Sequence, residues 1–453
     1  MRFTKPTKVI GLDIGTHSIK TVLMTKPGGK LRIEGVGYAP LDKGQVSVDP
    51  VAASAEAMRE ALRQMPTGQS LVVASLAGQT VVIRYPRLRD VSLDEIDQAV
   101  EAEASQNIPY DLSEVSLDWS LLEEESDGDE TLIKVLLVAA KHEVIDARVQ
   151  LTQAAEVECS ILSVDSLALA DAAEGCDFLR VGESVALINI GASSVSIHFT
   201  KDGVSNFIRD ISWGAKEMIQ AIVKFKRCNF EEAERFLINI DDERDAAPEP
   251  QVEDNSPLPD APPDLPSMNQ ASETNQASEP DVLEPSSIDE PLASEVSDPL
   301  AADPLAAETI GNASGSSLLD PLEDEIELLG STTPEASTES MDPPGMTPDE
   351  DGLDEILALP ISRLIAEIRR SFDYYEHQLY ERPVERVILS GGVAHLSLFR
   401  DALVEDLGFE DVEIADPGKG AIFMNASNNE QFDNHPAQFM VAVGLAARGA
   451  AEL

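Results

Sequence analysis

Two stretches of this chain repeat one order of residue types, and that repetition constrains the fold more than any other feature. Gly11-Leu12-Asp13-Ile14-Gly15-Thr16-His17-Ser18-Ile19-Lys20 is matched in pattern by Ala186-Leu187-Ile188-Asn189-Ile190-Gly191-Ala192-Ser193-Ser194-Val195. In each, an apolar run ends in a polar residue, an apolar residue and Gly. Hydroxyl residues follow, and then a second apolar run. This reads as a strand, a tight turn and a returning strand. One copy would be an ordinary hairpin. Two copies in this order, each opening a domain-sized unit, point to a paired site.

A tight hairpin with Gly lets backbone N–H groups approach an anion closely, which makes a concavity for phosphate oxygens. Ser and Thr hydroxyls add donors. A carboxylate at the strand end can hold a Mg²⁺ through water, because that ion keeps most of its waters. Two such hairpins face to face would grip the β- and γ-phosphates of a nucleotide. The first contributes Asp13, Gly15, Thr16, His17, Ser18 and Lys20, with Asp13 as the metal candidate. The second contributes Asn189, Gly191, Ala192, Ser193 and Ser194. A third element, Ser390-Gly391-Gly392-Val393, follows a short strand at 386–389. There Gly391, Gly392 and Val393 would let the backbone pack against a nucleoside. His17 also reads as a turn-filling residue, and the other five histidines have no ligand-like spacing.

The surrounding pattern predicts strands at 8–13, 18–25 and 31–38, then a helix at 51–63. Strands at 71–74 and 79–85 follow. A helix at 94–106 has Ser92 as its cap and Glu95 as capping-box partner. A buried strand at 131–140 and a helix at 143–155 complete the first unit. The second opens near residue 182 with strands at 184–190 and 194–199. Ile361, Leu364, Ile365, Ile368, Phe372 and Tyr375 share one face of a helix over 361–375. The last apolar stretch, 438–447, reads as helix. The division is a first lobe at 1–183, holding a small subdomain at about 69–157, and a second lobe at 184–453.

Charge is spread unevenly. The chain has 83 acidic and 33 basic residues, and 30 of the acids against one basic residue, Arg244, fall in 241–352. That stretch also holds 17 of the 28 prolines and no aromatic residue. It cannot bury enough apolar surface to offset the entropy of ordering it, so it reads as a long disordered acidic insertion in the second lobe. Three Asp-Pro-Leu triplets and the run 322–329 inside it read as a solvated loop or as a docking motif for a basic groove. A formal net charge of -50 argues against direct binding to nucleic acid or to an anionic membrane. No apolar run is long enough to span a bilayer. Three scattered cysteines, without a CxxC, suit a reducing compartment.

The two hairpins and the Gly-Gly turn resemble the phosphate-1, phosphate-2 and adenosine motifs of the actin/Hsp70/sugar-kinase superfamily. Further stretches resemble the PilM family of actin-like type IV pilus assembly proteins. These are Glu101-Ala102-Glu103-Ala104-Ser105-Gln106-Asn107-Ile108-Pro109-Tyr110, Val115-Ser116-Leu117-Asp118-Trp119, Ile211-Ser212-Trp213-Gly214, Phe230-Glu231-Glu232-Ala233-Glu234, Glu367-Ile368-Arg369-Arg370-Ser371-Phe372-Asp373-Tyr374-Tyr375 and Val441-Ala442-Val443-Gly444-Leu445-Ala446-Ala447-Arg448. The resemblance covers nearly all the chain outside the insertion.

It implies an α/β actin-like (ribonuclease-H-like) fold of two lobes, with an inserted small subdomain placed as in the cell-division protein FtsA. It implies ATP with Mg²⁺ in the interdomain cleft, and Lys216 and Glu217 near the ribose and base. Those two also read as surface charges on a helix's first turn. The implied partners are the cytoplasmic N-terminal peptide of an inner-membrane PilN-like protein and other pilus machinery proteins; a homo-oligomer is compatible. The implied location is cytoplasmic, peripheral at the inner membrane through those partners. Where the superfamily usually has Asp in the second phosphate motif this chain has Asn189, which lacks a charge that helps hold metal. That separates ATP binding from hydrolysis, which is expected to be weak or absent. An FtsA-like filament protein would end in a basic, aromatic amphipathic helix, unlike 446–453. A kinase of the sugar-kinase type would need a catalytic Asp in the first lobe, and 39–157 marks none. The cytoplasmic domain of type II secretion proteins would continue into a membrane-spanning helix.

Overall fold

Short apolar stretches punctuated by Gly and Pro set the first half of the chain into strands. The computed structural model describes residues 6–92, 94–127, 130–241, 351–424 and 429–453. The acidic insertion expected at 241–352 lies, except at its edges, outside the described residues. In chain order the first elements are β1 (Lys8–Ile14), β2 (Ser18–Thr25), β3 (Arg32–Pro40), α1 (Lys43–Val46), α2 (Pro50–Arg63) and β4 (Leu71–Leu76). An inserted unit follows: β5 (Val81–Arg84), β6 (Arg87–Arg89), α3 (Ile96–Asn107), β7 (Val115–Asp127) and β8 (Glu130–Lys141). Then come α4 (His142–Ala154), β9 (Ile161–Val164) and α5 (Asp165–Gly175). The second half has β10 (Ser184–Ile190), β11 (Val195–Lys201), β12 (Val204–Ile211), α6 (Ala215–Lys226), α7 (Phe230–Ile238), α8 (Asp351–Asp373), β13 (Arg386–Gly391), α9 (Ser397–Leu407) and β14 (Val412–Ile414). It closes with β15 (Phe423–Met424), α10 (Glu430–Asn434) and α11 (Met440–Ala451).

The duplication seen in the hairpins extends to whole sheets. One sheet runs β15-β3-β2-β1-β4-β9 and the other β12-β11-β10-β13-β14. Apart from the added β15, they share one plan. An antiparallel β1–β2–β3 meander matches β10–β11–β12, and a parallel partner joins each central strand, β4 beside β1 and β13 beside β10. Parallel partners buried on both faces need near-continuous apolar strands, and β1, β4, β10 and β13 supply them.

The inserted unit is a separate small sheet. β8 pairs with β5 and β6 on one side and β7 on the other, and α3 covers one face. Val82, Val100, Ala104, Ile133, Val135 and Leu137 form its core. This insert is narrower than the 69–157 expected: β4 joins the first sheet and α4 packs beside α2. α3 starts at Ile96, two residues late, because the Ser92 hydroxyl bonds the Glu95 carboxylate and not a backbone N–H.

The chain end departs further from expectation. Residues 423–451, assigned by sequence to the second lobe, return to the first. β15 pairs with β3, and α11 packs on β1 and α5. The packing is close enough that Gly444 touches backbone: a Cβ there would lie 1.7 Å from the Ala168 carbonyl oxygen. α8 begins ten residues earlier than the pattern at 361–375 and runs through Pro360. Buried Leu353 and Leu357 extend its apolar face, and the Pro360 carbonyl accepts a bond from Trp213 Nε1 at 3.0 Å. Among the described residues no helix is long and apolar enough to cross a membrane.

Candidate nucleotide cleft between two hairpins

Both hairpin turns close in the same way. Gly15 N donates to Ser18 O at 3.2 Å, and Gly191 N to Ser194 O at 2.9 Å. In identical register, Asp13 pairs across the ladder with Lys20, and Asn189 with Ser196. The turns meet: Thr16 Oγ1 lies 2.9 Å from Ser193 Oγ. The second turn is braced from behind by α6, whose Ala215 and Lys216 N–H groups donate to the Gly191 and Ala192 carbonyls at 3.0 Å.

A cavity of about 220 Å³ opens between the turns. Fourteen of the sixteen sequence-assigned residues line it. They are Asp13, Gly15, Thr16, His17, Ser18 and Lys20; Asn189, Gly191, Ala192, Ser193 and Ser194; and Gly391, Gly392 and Val393. Gly391 has φ +103, and a Cβ there would sit 2.2 Å from the Ile190 carbonyl oxygen, so only Gly lets β13 end against β10. Lys216 and Glu217 are not among the lining residues. Glu217 lines a separate surface groove with Gln220, Lys224 and Arg363.

The cleft floor holds residues that the motifs did not mark. α4 buries Arg148 and, one turn on, Thr152, which turns the Arg148 side chain into the cavity. Arg148 is 9% exposed, and its Nε has no hydrogen-bond partner. Asp165, first residue of α5, also lines the cavity. Its Oδ1 accepts from Gly78 N at 2.8 Å and Ser166 N at 2.7 Å. Burial pushes the Asp165 carboxyl up against these bonds, and the Asp13 charge adds to the rise. Asp210 on β12 is pushed up by burial and then by the charge of Asp165.

At the mouth, Glu234 joins the halves. Asn229 and Glu232 form a reciprocal capping box that fixes the start of α7. With Ala233 and Leu237 buried in the core, Glu234 faces the cleft. Its carboxylate bonds His17 Nε2 and, at 2.7 Å, Lys43 Nζ. Burial alone would raise its pKa, but these two partners overcome that and hold it at about 2. The lining also includes apolar Ile219, Leu237, Ile238 and Val441 together with Gly391 and Gly392. His395 and His435 stand there with ring centroids 4.7 Å apart.

Mg²⁺ is held by proteins through one or two carboxylates in addition to substrate phosphates. The only carboxylate of the hairpins, Asp13, accepts from Lys20 Nζ at 3.2 Å. Asn189 is neutral, and its Oδ1 accepts from Ser390 Oγ at 3.3 Å. Among the described residues no group of three or more His, Cys, Asp or Glu could hold a metal ion. The hairpins thus offer a metal ion one carboxylate, Asp13, already paired with Lys20; Asp165, held by two backbone N–H groups, is the other acid on the cleft floor.

The chain is similar to several solved structures. The solved PilM-PilN type IV pilus biogenesis complex matches with TM-score 0.61 at 18% identity, covering 98% of both chains. The ethanolamine utilization protein EutJ from Carboxydothermus hydrogenoformans matches with TM-score 0.43 at 12% identity, covering 98% of this chain and 91% of that one. The activator of 2-hydroxyisocaproyl-CoA dehydratase from Clostridium difficile, solved with ADPNP bound, matches with TM-score 0.40 at 12% identity, covering 98% and 95%. The fold is the one seen in the PilM-PilN complex. The family model for type IV pilus assembly protein PilM matches residues 11–245 and 345–450, which together span most of the sequence, and the chain belongs to that family.

Proposed function

We propose that this protein is an ATP-binding scaffold of type IV pilus assembly with weak or no ATPase activity. The observation that carries the reading is the convergence of two identically registered hairpins and the Gly391-Gly392 turn on one cavity. Backbone N–H groups and the hydroxyls of Thr16, Ser18, Ser193 and Ser194 offer donors to phosphate oxygens. Lys20 adds charge, and the apolar end suits a purine. The Thr16–Ser193 bond occupies the position a phosphate would take between the turns, so nucleotide entry exchanges one bond across the cleft for several to the ligand. Asn189 supports binding without hydrolysis, since the amide can orient water but brings no charge.

The partner reading rests on the family and on the PilM-PilN complex that the chain resembles. Its content is that a groove between the first lobe and the inserted unit docks the cytoplasmic N-terminal peptide of a PilN-like inner-membrane protein. Nucleotide would bias that groove, and the peptide would hold the protein at the inner membrane. Equilibrium titration of a fluorescent ATP analogue tests the first half: saturable binding to wild type, weakened about tenfold in Lys20→Ala by loss of a charge-assisted bond, is expected. Wild type that fails to bind would leave only the docking role. A labelled PilN-like peptide, titrated with and without ATP, tests the second half; absence of binding in both states would sink it.

A further inference from the structure

The cavity is lined by three carboxylates, Asp13, Asp165 and Glu234, each already partnered, and by cations that the hairpins alone do not show. Two cations reach the cavity from its floor, Lys20 and Arg148. Both are withdrawn from solvent: the Lys20 side chain is 12% exposed and Arg148 is 9% exposed. A guanidinium is always charged and presents five donors in a planar fork. Here Nε has no acceptor, and a buried donor left unpaired is costly. The acids that face Arg148 are Asp165 and Asp13. Both are engaged elsewhere, Asp165 by the Gly78 and Ser166 N–H groups and Asp13 by Lys20. The second hairpin brings no carboxylate at all, since Asn189 and Ser196 stand where Asp13 and Lys20 stand in the first.

We propose that Arg148 is a phosphate-binding residue, and that Arg148 and Lys20 together neutralise the nucleotide's polyphosphate, so that binding does not require a divalent cation. The inference rests on the nucleotide reading above and deepens it. A guanidinium binds phosphate through two parallel N–H···O bonds, which fits a buried arginine that lines the cavity and whose Nε has no partner. Asp13 is paired with Lys20, Asp165 accepts two backbone N–H groups, Glu234 holds His17 and Lys43, and the second hairpin is neutral, so the cleft has few unpartnered carboxylate oxygens for Mg²⁺.

The test is titration of a fluorescent ATP analogue against the full chain in excess EDTA and in excess Mg²⁺. Wild-type affinity is expected to agree within about threefold between the two conditions. Arg148→Gln is expected to weaken binding in EDTA by about tenfold or more, and Arg148→Lys by much less. Asp13→Asn gives the opposite sign. It frees Lys20 and removes a negative charge near the phosphates, so binding in EDTA stays as tight or tightens. Should Arg148→Gln fail to fold, by its melting curve, Asp13→Asn and Arg148→Lys decide. Binding that appears only with Mg²⁺, an Arg148→Gln affinity equal to wild type, or an Asp13→Asn variant that binds more weakly in EDTA would overturn the inference while the nucleotide reading stands. Absence of binding in both conditions would overturn both.

Discussion

Acidification should act on this protein through one buried imidazole. His198 on β11 is fully buried. Its Nδ1–H donates to the Ser166 carbonyl at 2.8 Å, and its Nε2 accepts from Ser205 Oγ at 2.7 Å. Tyr85 from the inserted unit completes the chain, its hydroxyl donating to Ser205 Oγ at 2.7 Å. One neutral ring thus links α5 of the first lobe, β11 and β12 of the second, and the insert. Burial lowers its pKa from 6.5 to about 4. The folded value lies below the unfolded one, so the unfolded chain takes the proton first. Stability is full above the unfolded value and is lost as pH falls through that window. The gap is worth about 3 kcal/mol in total, of which about 2 kcal/mol is lost between pH 7 and pH 5. Asp165 and Asp210 work in the opposite sense, because burial raises their pKa values and the folded state takes their protons more readily. The His198 contribution is therefore read as a difference. Urea unfolding followed by Trp119 and Trp213 fluorescence, for wild type and His198→Gln at both pH values, should show wild type losing about 2 kcal/mol more than the variant on acidification. Equal losses would refute the assignment of a neutral, buried ring at the centre of this chain.

Two further substitutions test the packing and the cleft. Gly444→Ala places a methyl 1.7 Å from the Ala168 carbonyl oxygen, an overpacking that should cost about 1–3 kcal/mol and lower the melting temperature by several degrees; an unchanged melting curve would mean α11 does not seat on α5 as described. Glu234→Ala removes the shared acceptor of His17 and Lys43. It should speed amide hydrogen exchange in α7 relative to wild type at neutral pH, where the carboxylate, held at about 2, is ionised; unchanged exchange would show that the tie does not hold the cleft mouth.

How far the sequence was readable depended on whether the deciding interaction was local. The hairpins were legible because turn chemistry is local: Gly, hydroxyls and flanking apolar strands specify the shape within a dozen residues. β2 and β10 end where the pattern put them, at Ser18–Thr25 and Ser184–Ile190. The role of Glu234 was not legible, because its partners His17 and Lys43 lie some two hundred residues away. Arg148 looked like any surface base on a polar helix until the burial of Thr152 beside it showed which face turns inward. The chain's return to the first lobe hides in β15, a two-residue strand too short for any periodicity. β7 was not among the expected strands; it is held by its ladder to β8, a pairing that its own residues do not reveal.

The two sheets show where the halves of this protein have diverged. Their strand plans and hairpin registers coincide, so each residue of one turn has a counterpart in the other. At the cleft those counterparts differ in a consistent direction. The first hairpin carries an opposed acid and base, Asp13 and Lys20; the second carries an amide and a hydroxyl, Asn189 and Ser196. Losing one carboxylate from a symmetric pair removes half of what could hold a hydrated cation, yet leaves every backbone donor of the turn in place. Hydrolysis depends on charge organised around the reacting phosphate, whereas recognition depends on donors and on shape. On the proposed reading, a change confined to charge would weaken the first and spare the second. Glu234, set opposite His17 and Lys43, puts a carboxylate of the second half at the mouth of the cleft, where it ties the lobes together.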